Sequence, residues 1–179
     1  MNKKYDCTVT KENLKKAFAM ESEARNKYSY FASRAKKEGY EQIACLLQHI
    51  GCNEREHAEI WYKELYGIGK TVDNLILSAK RENEEWSEIY VEFADKADEE
   101  GFHDLAEKFR RVAMIEMSHE EMLIRLTDNL TKDRVFEKEE DTTWVCRNCG
   151  CTYYGKEAPK ECPVCEHDRG YFEIKAENY

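Results

Sequence analysis

The sequence predicts a mainly α protein, a four-helix bundle followed by a small metal-binding β module, on three observations. Stretches with apolar residues at helical spacing run along most of the chain and are interrupted only at a few glycine junctions. The segment Glu-x-x-His occurs twice, as Glu54–His57 and Glu116–His119, 62 positions apart, with a lone Glu21 and a lone Glu82 ahead of them. Two Cys-x-x-Cys pairs, Cys146/Cys149 and Cys162/Cys165, lie near the end of the chain.

Thr10 reads as the N-cap of a first helix ending at Lys37 or Glu38, where Gly39 supplies the stop. A second helix is expected from about Glu41 to Leu65, punctuated by Gly67 and Gly69. The third begins near Thr71 and ends at Gly101, and the fourth runs from His103 to about Leu130. Leu14, Phe18, Ile43, Leu46, Leu47, Ile50, Leu105, Phe109, Val112 and Leu123 recur at roughly helical spacing and are the expected apolar face. From Thr131 to Thr143 the chain is charged and loses this period, so residues 1–133 are expected as the bundle, 134–143 as a linker and 144–179 as the module.

Of the 179 residues, 36% are charged, and Pro159 and Pro163 are the only prolines. The formal net charge of -9 argues against nucleic acid or an anionic membrane as partner, since both call for a basic patch. No apolar stretch follows Met1-Asn2-Lys3-Lys4 and no segment approaches the ~20 apolar residues that span a bilayer, which predicts a soluble, cytoplasmic protein. Cys7, Cys45, Cys52 and Cys151 show no pairing pattern, so the eight cysteines read as metal chemistry in a reducing compartment rather than as a disulfide framework.

The two helix pairs read as a duplication. Tyr28/Tyr90, Phe31-Ala32/Phe93-Ala94, Glu38-Gly39/Glu100-Gly101, Ala44/Ala106, Glu54/Glu116 and His57/His119 all keep the 62-residue offset, whereas Glu21/Glu82 is offset by 61. The extra residue between Glu82 and Tyr90 predicts a π-bulge in the third helix. Residues three apart share a helix face, so each Glu-x-x-His presents a carboxylate and an imidazole side by side. Two such helices and a Glu from each of two others make a di-iron carboxylate site in a four-helix bundle. Glu21, Glu54, His57, Glu82, Glu116 and His119 are the expected ligands; His49, His103 and His167 lack such partners and read as surface or packing residues.

Glu85, three residues after Glu82, adds a fifth carboxylate to this face. Five glutamates against two ferrous ions leave a formal charge of about -1, which favours the oxidised metal. Tyr28 and Tyr90 lie one or two turns from the ligands, where a phenol can hydrogen-bond a ligating carboxylate.

Cys146-x-x-Cys149 and Cys162-x-x-Cys165 form a four-thiolate signature in which two knuckles close a tetrahedron around iron or zinc. Gly150 follows the first knuckle and Cys151 stands out of register, as a spare thiol. Trp144, Tyr153, Tyr154, Tyr171 and Phe172 are the expected aromatic core of the module.

With both constellations assembled, the chain resembles the rubrerythrin family, which joins a ferritin-like di-iron bundle to a rubredoxin-like domain. The likeness covers essentially the whole chain, including Ala19-Met20-Glu21-Ser22-Glu23-Ala24-Arg25-Asn26-Lys27-Tyr28, Glu54-Arg55-Glu56-His57-Ala58 and Cys162-Pro163-Val164-Cys165. It implies Glu21, Glu54, Glu82, Glu116 and His119 as ligands, with Glu54 and Glu116 bridging and with His57 and Glu85 exchanging at one iron as its oxidation state changes. Tyr28 and Tyr90 match the family's active-site tyrosines. Arg81 stands where the family usually has a small residue, and Glu166 where glycine often follows the last cysteine.

The resemblance implies a peroxidase that reduces hydrogen peroxide to water, in defence against oxidative stress. Two ferrous ions would give one electron each, and the four-cysteine iron would restore them. The electrons would come from an external NAD(P)H-dependent reductase or a rubredoxin-type donor, since this chain carries no dinucleotide fingerprint. A homodimer or homotetramer is expected, because the family is expected to pass electrons between subunits.

A ferritin-like bundle needs its second and third helices parallel. From His57 to about Tyr66 and from about Thr71 to Glu82, helix covers ~13 and ~16 Å, which the connection must climb back. Residues 66 to 71 reach only ~20 Å when fully extended. Either the helix ends unwind or the two helix pairs exchange between subunits. Two other functions fit parts of the pattern: an oxygen-reducing oxidase, ferroxidase or iron store on the same bundle, and a helical binding protein with a structural zinc ribbon. An attached electron carrier argues against storage.

Overall fold

The structure is a computed structural model and describes residues 3–177; Met1 and Asn2, at the polar start of the chain, lie outside the described residues. Two compact units are present, residues 1–69 and 70–179.

The first unit is a helical hairpin of α1 (Val9–Lys37) and α2 (Glu41–Leu65). The cap of α1 is Thr8 rather than Thr10: its hydroxyl accepts from the Lys11 amide at 3.1 Å, so the helix starts two residues earlier than the sequence suggests. Tyr5, in a short 3-10 turn ahead of α1, donates to Glu64 near the end of α2 at 2.6 Å.

The hairpin turn is a Schellman closure. Gly39 sits at φ +85°, and the Tyr40 amide reaches back to the Ala35 carbonyl at 2.9 Å. The same closure recurs one duplication later, where Gly101 sits at φ +83° and the Phe102 amide meets the Ala97 carbonyl at 2.8 Å. Small residues carry the α1–α2 contact: Ala32, Ala35, Ala44, Gly51 and Ala58 are buried. A Cβ added at Gly51 would lie 3.5 Å from the Arg25 carbonyl oxygen, which measures how closely the two backbones approach.

The second unit holds α3 (Thr71–Glu84), a π-helical turn (Glu85–Ile89), α4 (Tyr90–Glu99) and α5 (His103–Thr131), with α5 packed along all three. The π turn stands between Glu82 and Tyr90, where the duplication is out of step by one residue, and it absorbs that residue without breaking the helix. Ala94, Ala97 and Ala106 are buried here as Ala32, Ala35 and Ala44 are in the first hairpin.

The larger apolar residues behave otherwise than expected. Ile43, Leu46, Ile50 and Leu105, assigned to the apolar face, are exposed, because each hairpin closes on its alanines and leaves the bulkier side chains outside.

After α5 the Arg134 amide bonds the Asn129 carbonyl at 2.7 Å, and the chain enters a three-stranded antiparallel sheet of order β2-β1-β3. The strands are β1 (Glu137–Cys146), β2 (Thr152–Glu157) and β3 (Phe172–Ile174). Most of the stretch expected as a linker is therefore strand: Glu137, Thr142 and Thr143 pair with β2, with an irregularity between Glu137 and Thr142. The sheet's core is Trp144, Cys146, Ala158, Cys162 and Phe172. Tyr153, Tyr154 and Tyr171 lie outside this core, the first two because β2 is an edge strand with little to cover it. The Trp144 indole donates to the Gly155 carbonyl at 3.0 Å and ties the core to that edge.

Candidate metal centres

Each helical unit contains one triad of ligand atoms. Glu21, Glu54 and His57 bring theirs within 4.8 Å of one another, as do Glu82, Glu116 and His119. The two triads are near copies. His57 Nδ1 lies 2.9 Å from Glu54 and 4.0 Å from Glu21; His119 Nδ1 lies 2.7 Å from Glu116 and 3.9 Å from Glu82. The three-residue spacing on α2 and on α5 sets each short contact, and α1 or α3 supplies the third member.

The electrostatics of each triad call for a cation. Glu21 is pushed above the usual carboxylate range, first by a hydrogen bond shared with Glu54, then by burial and by the Glu54 charge. Glu82 is raised by burial first, then by Glu116 and Glu85. Two carboxylates beside an imidazole nitrogen, with the histidine half open to solvent, fit a hard divalent ion that prefers oxygen and imidazole donors.

Glu85, first residue of the π turn, accepts from Arg81 Nε at 2.7 Å and is close enough to raise both Glu82 and Tyr90. Tyr90 is held above the usual phenol range by burial, then by Glu85 and Glu116, and its ring packs with Phe93 and Phe109 at centroid distances of 6.0 and 6.1 Å. Tyr28 is half-buried on α1, its Cβ 3.5 Å from a Cβ built at Gly51.

One group escaped the sequence reading. Glu120 accepts from Asn83 at 3.1 and 3.2 Å and from the Trp86 indole at 2.6 Å, which ties α5 to α3 and to the π turn just beside Glu82 and Glu85. The clue was a break in the duplication: the residue after His57 is Ala58, whereas the residue after His119 is Glu120.

In the sheet module the sulfurs of Cys146, Cys149, Cys162 and Cys165 all lie within 4.8 Å, with Cys146–Cys165 at 3.7 Å and Cys149–Cys162 at 3.6 Å. A tetrahedron with metal–sulfur bonds of about 2.3 Å has edges of about 3.8 Å, which the Cys146–Cys165 and Cys149–Cys162 separations match. Their protons are unequally held. Burial opposes ionisation of Cys165, but the His167 amide, Asn148 and the neighbouring thiols outweigh it and bring the group to about 6. At Cys149 the Cys151 amide favours the thiolate, yet Cys165, burial, Cys162 and Cys146 push it up to about 12.

The knuckle turns match: the Gly150 amide meets the Cys146 carbonyl at 2.8 Å, and the Glu166 amide meets the Cys162 carbonyl at 3.0 Å. The Cys151 sulfur is not in the cluster and packs against the aromatic core instead. Among the other histidines, His103 pairs with Asp98 and His167 stacks edge-on against Tyr171.

A helical region with duplicated Glu, Glu-x-x-His triads, followed by a four-thiolate β module, defines a two-centre metalloprotein. The family model for rubrerythrin matches residues 12–86 and again residues 73–147, so the same model fits each half of the duplication. That for the rubrerythrin rubredoxin-like domain matches residues 144–173. The chain is 44% identical over 189 residues to rubrerythrin-1 of Clostridium acetobutylicum, covering 96% of this chain and 97% of that protein. It is 43% identical over 192 residues to the rubrerythrin of Porphyromonas gingivalis, covering 100% and 96%. It is 39% identical over 183 residues to the rubrerythrin of Nitratidesulfovibrio vulgaris, covering 95% and 96%. This chain belongs to the rubrerythrin family, with a ferritin-like di-iron domain and a rubredoxin-like four-cysteine iron domain. No helix is long and apolar enough to cross a membrane among the described residues.

Proposed function

We propose that this protein is a cytoplasmic non-haem di-iron peroxidase that reduces hydrogen peroxide to water in defence against oxidative stress. Residues 1–133 would hold the di-iron centre, and residues 144–179, joined through 134–143, the electron carrier. The observation that carries the reading is the coexistence, in one chain, of two matched carboxylate–histidine triads and a cluster of four thiols. A protein that only stored iron would have no use for the second. When bound, two ferrous ions supply the two electrons that cleavage of the O–O bond consumes.

Glu54 and Glu116, each within hydrogen-bonding distance of its own histidine, would hold the ions together with Glu21, Glu82 and His119. His57 and Glu85 would serve as alternative ligands, and Glu85 is at present engaged by Arg81. Two protons must reach the departing oxygens, and Tyr90, a phenol beside Glu85 and Glu116 that burial makes a weaker acid, would relay a proton by hydrogen bonding rather than give up its own. Tyr28 occupies the matching position in the first hairpin. Cys146, Cys149, Cys162 and Cys165 would hold the iron that accepts electrons from an external NAD(P)H-dependent reductase or a rubredoxin-type donor.

The test is to reduce the iron-loaded protein without oxygen, mix it with peroxide or with oxygen, and follow reoxidation of the four-cysteine iron by its visible absorption. Fast reoxidation by peroxide and much slower reoxidation by oxygen is the expected result. Preference for oxygen would reassign the protein as an oxidase or ferroxidase.

A further inference from the structure

We propose that Glu120 is a positioning residue: through Trp86 and Asn83 it pins the π turn to α5 and so fixes where Glu85 stands. The part of this that concerns the iron pair rests on Glu85 as a ligand, as in the function proposed above.

The residues involved alternate with the ligands. Asn83 directly follows Glu82, Trp86 directly follows Glu85, and Glu120 directly follows His119. One residue turns a helix by about 100°, so the followers form a second row beside the row of ligands. In that row a single carboxylate collects the bonds. The Asn83 side-chain amide donates to both Glu120 oxygens, at 3.1 and 3.2 Å, and the Trp86 indole donates to Oε2 at 2.6 Å. A carboxylate acceptor makes such bonds roughly twice as strong as a neutral one would.

These bonds fall where the backbone changes register. α3 ends at Glu84, the Tyr90 amide reaches back five residues to the Glu85 carbonyl, and the Ser87 hydroxyl donates to the Asn83 carbonyl at 2.7 Å. A π turn is a rare departure from α-helix, and here Asn83 before Glu85 and Trp86 after it are both held from α5. Glu85 lies between the two, so its backbone is fixed on either side. It leaves its present partner, Arg81 at 2.7 Å, by side-chain rotation alone.

The first hairpin is a control within the same chain. There Ser22 and Ala58 stand at the places of Asn83 and Glu120. Ser22 donates to the Phe18 carbonyl of its own helix at 2.7 Å, and the Ala58 side chain has no acceptor to offer. That hairpin has no π turn, since α1 is continuous from Val9 to Lys37. The clamp and the turn occur together, in the second hairpin.

The test uses three full-length variants. Glu120→Ala removes the acceptor, Trp86→Phe keeps a ring and removes one donor, and Glu120→Gln keeps a carbonyl oxygen that still accepts from the indole. In the metal-free protein, amide hydrogen exchange across residues 85–90 should quicken about tenfold in the first two, the size of one lost hydrogen bond to a charged group, and stay close to the wild-type rate in Glu120→Gln. Unchanged exchange in either of the first two would overturn the clamp.

In the iron-loaded protein, the reduction potential of the pair is compared in the wild type, Glu120→Ala, Glu85→Ala and the double variant. A fifth carboxylate favours the oxidised metal, so loosening Glu85 should raise the potential, and Glu120→Ala should add nothing once Glu85 is gone. An equal shift by Glu120→Ala with and without Glu85 would overturn the positioning role. Faster exchange combined with a potential indifferent to Glu85→Ala would instead overturn Glu85 as a ligand in the proposed function, and leave the clamp on the turn standing.

Discussion

The carboxylates of the two triads work against the metal-free fold, and the cost can be measured at single residues. Glu21 and Glu82 are raised from 4.5, so the metal-free protein is favoured below that value and loses stability as pH rises through the raised one. Glu21→Gln should therefore raise the melting temperature of the metal-free protein at pH 7, by roughly 2–4 °C if about 1 kcal/mol of repulsion is relieved. The same change should lower the melting temperature of the iron-loaded protein and its iron content. Thermal scans with and without iron check both signs, and a uniform loss in both would contradict this account.

Arg81 makes a second residue-level case. It holds Glu85 in an ion pair that is half open to solvent, a contact of about 0.2–1 kcal/mol. Arg81→Ala should free Glu85 for the oxidised pair and slow its re-reduction by up to about five-fold. Stopped-flow reduction of the oxidised protein measures this, and an unchanged rate would show that Arg81 does not restrain Glu85.

At the scale of elements, the two cysteine knuckles have the same hydrogen bonding but different occupants in the left-handed position: Gly150 at φ +76° and Glu166 at φ +58°. A side chain there costs about 1–2 kcal/mol, so Glu166→Gly should stabilise the module by about 1 kcal/mol, seen as slower acid release of its metal. The α4–α5 turn carries a different device. Arg110, and then His103, hold Asp98 below its ordinary value of 3.8. That stabilisation is present above 3.8 and is lost as pH falls through the lowered value. Asp98→Asn should melt earlier than the wild type at pH 7, and the difference should close in acid.

Much at this scale was legible in the sequence. The glycines of both hairpin turns, the extra residue taken up by the π turn, and the ligand spacings are all set locally by helix geometry, which leaves a regular signature. Burial did not read the same way. Periodicity marks apolar positions such as Ile43 and Leu105, but within each hairpin the alanines take the interior and these bulkier side chains stay exposed. The Glu120 network was silent because it joins positions 34 and 37 residues apart that no spacing rule connects.

At the scale of the whole molecule, the proposed activity separates into one consumption of peroxide and its repetition, and the four-cysteine site governs only the second. Deleting a cysteine is a poor test, because Cys146 and Cys162 are also part of the module's buried core. Zinc is the better probe: it takes the same tetrahedron of thiolates, whose sulfurs already stand 3.6 and 3.7 Å apart, but it has no accessible second oxidation state. Protein with zinc at the cysteines and ferrous iron in the bundle should oxidise its iron pair with one equivalent of peroxide as fast as the all-iron form. Its turnover with a reductase and a nicotinamide donor should fall to background. Turnover that survived zinc would mean that electrons reach the pair without the cysteine site, and the module would then be a structural ribbon.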